Sequence, residues 1–157
     1  MTAFGDRMRS VLHGHGISAD TVAESYDAAA FGNATVTFDV GRGVFLRAMT
    51  DRGDEILQLS LGPTANSRFF LFEYVEMALG HRQEFDAPVE SLQIEQRVQR
   101  LCAELPQIQS RLQREGRAAI SQALQALEDA QHRRDIARYG GRTSDLIRTD
   151  STGKEGK

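Results

Sequence analysis

Between Ala34 and Leu61 the apolar residues of this chain recur at every second position, and from Ile94 onward they recur every three or four. A period of two belongs to a strand buried on one face, and a period near 3.6 belongs to an amphipathic helix. The switch from one to the other therefore predicts an α+β chain. In "ATVTFDV", Val36, Phe38 and Val40 alternate with Thr35, Thr37 and Asp39, which reads as a first strand. Gly41 to Gly43, "GRG", supplies residues that tolerate positive φ for a tight reversal. "VFLRAM", Val44 to Met49, reads as a second strand, and "EILQLSL", with Leu57, Leu59 and Leu61 facing inward, as a third. The expected sheet is a three-stranded antiparallel meander over about residues 34–61, with helices on one face.

Helical spacing brackets this sheet. Phe4, Met8, Val11 and Leu12, stopped by Gly14, predict a helix over Ala3 to His13. Ser18 and Asp20 are read as caps of a second short helical turn through Val22 and Tyr26. "NSRFFLFEYVEMALG" predicts a helix capped at Asn66 or Ser67 and ended at Gly80, with apolar residues around most of its girth. Leu92, Ile94, Val98, Leu101, Leu105, Ile108 and Leu112 form one stripe, prolonged by Ile120, Leu124 and Leu127. Pro106 and Gly116 interrupt it, leaving two or three helices or one kinked helix open. The stripe is read as a helical hairpin on the domain, a helical extension over about 89–136. The alternative is a homodimer through these C-terminal helices. The expected organisation is one α+β domain over residues 1–139 and a polar, disordered tail over 140–157.

Chemistry-bearing motifs are sparse. No phosphate-binding loop, dinucleotide fingerprint or nucleophile elbow occurs in the sequence. His13 and His15 flank a glycine, but two imidazoles do not close a zinc site. Cys102 stands alone within the helical stripe and reads as core. The expectation is a non-enzyme with no cofactor and no metal. The lone cysteine, the absence of a membrane-length apolar run and a charged N-terminal stretch predict a cytoplasmic protein with no membrane partner. Charge is divided unevenly. Residues 1–96 carry 14 acidic and 7 basic side chains, and residues 97–157 carry 8 and 12. The acidic part suits a basic partner. Arg111, Arg114 and Arg117 at spacing three, with Arg133, Arg134, Arg138 and Arg142, support a nucleic-acid-binding or regulatory alternative. Interspersed Glu115, Glu128, Asp129 and Asp135 argue against it.

Arg52-Gly53-Asp54 matches the tripeptide that integrins read, but it lies between the second and third strands. There Asp51 and Gly53 are ordinary hairpin chemistry, and the reversal explains the three letters. The block "FGNATVTFDV", then "VFLRAMTDRGDEILQLSL", then an aromatic-rich helix resembles small bacterial immunity or immunity-like proteins of polymorphic toxin systems. The shared pattern comprises Phe31, Gly32, Asn33, Arg47, Asp51, Arg52 and Gly53, over about residues 17–80. The resemblance implies a non-catalytic cytoplasmic protein that neutralises a cognate secreted toxin by occluding its active site. The hairpin residues Asp51, Arg52, Asp54 and Glu55 are the expected partner-binding set, extended by Asp39, Glu73 and Glu76 into an acidic patch.

Overall fold

The computed structural model describes residues 2–80 and 93–152, with side chains to residue 138. Helix α1 (Ala3–Gly14) precedes strands β1 (Asp20–Asp27), β2 (Asn33–Asp39), β3 (Phe45–Asp51), β4 (Asp54–Ser60) and β5 (Phe70–Leu71). Helices α2 (Phe72–Ala78), α3 (Ile94–Glu115) and α4 (Arg117–Thr152) follow. The strands form one antiparallel sheet in sequence order, β1-β2-β3-β4-β5. The α+β class and the antiparallel meander are as the periodicity predicts. The sheet is wider than expected by one strand on each side.

Both added strands replace a predicted helical segment. β1 occupies the stretch read as a capped turn through Val22 and Tyr26. Seven of its eight residues are exposed, so burial imposes no alternation that a sequence could display. At the other edge, Phe69 to Leu71 precede the helix rather than belong to it. α2 therefore starts at Phe72, several residues after the expected cap.

The core lies between one sheet face and the helices. Val36, Phe38, Leu46, Ala48, Leu57 and Leu59 face Met8 and Leu12 of α1 and the α3 stripe in a single buried cluster. Each valine, leucine, methionine or phenylalanine among them contributes roughly 1.5–3 kcal/mol when fully buried. The opposite sheet face, with Thr35, Arg47, Met49 and Ile56, is half-buried. Arg47 there lies over the Phe69 ring, 3.7 Å from its centroid.

Gly116 at φ +83 divides α3 from α4, while Pro106 sits inside an unbroken α3. Val98, Leu101, Leu105, Ile108 and Leu112 are all buried within this one chain, so the stripe that raised the homodimer alternative is occupied internally. Ile120 and Leu124 dock α4 onto the same core. Its backbone stays helical to Thr152, past residue 140, where the sequence predicts a disordered tail. Elongating an existing helix is inexpensive, and Gly140 and Gly141 each cost only about 1 kcal/mol relative to alanine. Leu92, His81 and the first residues of the expected extension at about 89 lie outside the described residues.

Candidate functional site

The two turns at one end of the sheet are built as a unit. β3 and β4 are joined by Arg52 and Gly53 at φ +52 and +91, and Asp51 pairs with Asp54. Two left-handed residues make a type I′ reversal, whose twist matches that of the strands. The turn between β1 and β2 places Phe31 and Gly32 at φ +59 and +72. Asn33 links the two turns. Its side-chain amide donates to Asp51 Oδ1 at 3.0 Å, and its Oδ1 accepts from the Arg52 backbone N–H at 2.9 Å. Asp27 Oδ1 meanwhile accepts from the N–H groups of Ala29 and Ala30, closing the first turn. The Phe-Gly-Asn and Asp-Arg-Gly segments that carry the sequence resemblance are thus one hydrogen-bonded structure.

Phe31 is the feature of this end that the expected partner-binding set omits. A phenylalanine with positive φ is uncommon and costs of order 1–3 kcal/mol, a strain that clusters at functional sites. The residue is 81% exposed. Tyr26, 61% exposed, lies just before this turn. The available signal is an aromatic residue inside an otherwise small, polar turn sequence.

The expected acidic patch does not assemble as a surface. Asp51, Arg52 and Asp54 are exposed together at the hairpin tip. Glu55 is partly buried and engaged. Its Oε1 lies 2.7 Å from Arg7, its Oε2 accepts from the Ile94 N–H at 3.3 Å, and its carbonyl accepts from Arg97 at 2.8 Å. It therefore anchors the positive N-terminal end of α3. Asp39 pairs in register with Phe45, at the far end of β3 from Asp51. Six residues of strand separate the two levels, about 20 Å at the usual rise.

Glu73 and Glu76 are corrected outright, being 3% and 1% exposed. Glu73 binds Arg97, itself buried, and Glu76 binds Arg100. The pattern was present in the chain: two acids at spacing three on α2 answered by two arginines at spacing three on α3. Residues three apart lie on one face of a helix, so both pairs can form along a single line of contact between α2 and α3.

The C-terminal arginines are also partly committed. Arg111 donates to the Ala78 carbonyl at 3.1 Å and holds Glu115 at 2.9 Å, which lowers the Glu115 pKa. The Arg117 guanidinium occupies the space beside Gly43 where a Cβ would stand. Arg133, Arg134 and Arg138 are exposed on the outer part of α4.

Several concavities flank the described helices, and two of them bear on function. A groove of about 320 Å³ between α2, α3 and α4 is lined by Leu61, Val75, Leu79, Ile108 and Ile120, with Arg111 and Glu115 among its lining residues. A more open one, about 510 Å³, gathers His15, Asp20, Asp39 and Cys102. Those four residue types could suggest a cysteine nucleophile. Burial instead pushes the Cys102 thiol up to about 11, so at neutral pH it is protonated and a poor nucleophile. Among the described residues no group of three or more His, Cys, Asp or Glu side chains is arranged to hold a metal ion. Nor is any described helix long and apolar enough to cross a membrane.

Against known proteins, no family model, no curated protein and no solved structure matches this chain.

Proposed function

We propose that this chain is a non-catalytic, cytoplasmic protein-binding domain, an immunity protein that neutralises a bacterial toxin by covering its active site. The observation that carries this reading is the turn end of the sheet. There an exposed aromatic in a strained backbone conformation stands beside the acidic hairpin tip, and Asn33 holds both. An aromatic anchor supplies contact area at little entropic cost, and rim charges steer the encounter with a basic partner. A cationic, nuclease-like toxin fits that charge. Asp51, Arg52 and Asp54 keep the role the sequence suggests, and Tyr26 and Phe31 join them.

The test is a pull-down with the product of the neighbouring gene, followed by association kinetics. Reversing Asp51 and Asp54 to lysine should slow association by about tenfold at low salt. Phe31→Ala should raise the dissociation rate by about thirtyfold, an effect of ~2 kcal/mol. Unchanged rates in both variants would make this end structural only.

A second reading, nucleic-acid binding, draws on Arg133, Arg134 and Arg138 along α4. It requires a duplex complex that weakens steeply with salt and is lost when these arginines become glutamate. No retention of duplex at near-physiological salt is expected.

A further inference from the structure

The two edges of the sheet differ. β5 is only two residues long and runs directly into α2, whereas β1 is eight residues long and pairs only with β2. An open strand presents unpaired N–H and C=O groups to any chain that can lie alongside it. Proteins usually blunt such an edge with charged side chains, lysine above all, with proline or a bulge, or by keeping it short. β1 contains no lysine, arginine or proline, and its charges, Asp20, Glu24 and Asp27, are all acidic, which repels an acidic strand but not a basic one. Its one irregularity is the extra residue Val22 between Thr21 and Ala23, after which Ala23 to Asp27 run in regular register. Four large apolar side chains are exposed among the described residues, and three of them, Val22, Tyr26 and Phe31, lie on β1 or the turn after it.

Charge indicates what would fit. Asp20 and Asp39 are cross-strand partners at one end of this edge, and no cation among the described residues is paired with either. Asp27 ends the strand on the other side, opposite Asn33, which carries Asp51. The central Glu24 is drawn toward α1 by the Thr2 N–H at 2.6 Å and the Thr2 hydroxyl at 2.5 Å. The edge is thus acidic at both ends, with a span of roughly 20–25 Å between them at strand rise.

We propose that β1 is a docking edge for an extended basic segment of the partner protein, which adds to the sheet as a sixth strand and sets cationic side chains against Asp20 and Asp27. Backbone hydrogen bonds would supply affinity, and the spacing of the charges would supply specificity. A second copy of this chain fits poorly. Antiparallel self-pairing about the strand centre sets Asp20 of one copy against Asp27 of the other, and like charges directly opposite are destabilising. The inference rests on the protein-binding reading and adds to it the backbone mode and charge of the partner.

The probe is a short acetylated peptide alternating arginine with valine, titrated into the isotopically labelled full chain, with a glutamate–valine peptide as control. The basic peptide should shift the amides of Ala23 to Asp27 and slow hydrogen exchange at those among them that point away from β2. Asp20→Lys with Asp27→Lys should weaken it by about tenfold. Equal binding of the acidic peptide, or shifts confined to other elements, would overturn the proposal. So would concentration-dependent self-association that protects β1. The Asp54→Lys variant separates the two claims, because Asp54 lies on β4, three strands away from β1, and the variant should bind the peptide normally. If it does while the wild-type chain ignores the neighbouring gene product, the toxin reading falls and the docking edge stands. If that product binds without disturbing β1, the docking edge falls and the toxin reading stands.

Discussion

Replacing Arg97 by alanine should destabilise the fold by about 3–5 kcal/mol, because it leaves a carboxylate buried without its partner. The pair sits at the junction of three elements. Arg97 of α3 binds Glu73 of α2 and donates to the Glu55 carbonyl of β4 at 2.8 Å. Both side chains are less than a tenth exposed. The arrangement is not a simple gain, since Arg97 Nε is buried and has no acceptor among the described residues. Desolvating two charges costs several kcal/mol per ion, which their attraction only partly offsets. Exchanging both partners for apolar residues, Glu73→Leu with Arg97→Met, should therefore cost less than Arg97→Ala alone. Denaturant midpoints of the two variants decide it. A double exchange as damaging as the single one would mean that geometry at this junction, not the uncompensated charge, sets the loss.

The second large effect concerns how α4 is held. Leu124 is fully buried, and with Ile120 it joins α4 to the common core. Leu124→Ala should cost about 2–5 kcal/mol, the range for a buried leucine whose site relaxes only in part. Ile136, further along the same helix, is 54% exposed, and Ile136→Ala should stay within about 0.5 kcal/mol. Thermal unfolding of both variants checks this gradient. Similar losses at the two positions would mean that the outer part of α4 is covered by something in solution, a second copy included.

How much of this was legible in the sequence depended on burial. β2, β3 and β4 announced themselves because one face of each is buried and the other is not, which writes a period of two into Val36, Phe38, Leu46, Ala48, Leu57 and Leu59. β1 left no such record because it is exposed on both faces. The boundary between β5 and α2 was hidden in the continuous apolar run Phe69 to Phe72, which is compatible with either period. The hairpin tip followed from turn chemistry alone, and Asp51 to Asp54 form the reversal that those letters imply. The wider acidic patch failed for a different reason. Glu73, Glu76 and Glu55 look like solvated charges when taken singly, and only their arginine partners, distant in sequence, reveal that they are internal. Distance along β2 removed Asp39 from the same surface.

Asn33 orders the turn end of the sheet without help from those acids. A hairpin tip alone is an ordinary solvated turn. Two turns cross-linked through one asparagine, with Phe31 held in a left-handed conformation beside them, form a fixed surface in which little ordering entropy remains to be lost on binding.

The central claim is that a protein partner is held at this end of the sheet, and hydrogen exchange of the complex with the neighbouring gene product reads it most directly. The account predicts slowed exchange at residues 23–33 and 50–54, with the outer part of α4 unchanged. Protection confined to α3 and α4, with both turns exchanging as in the free chain, would contradict it.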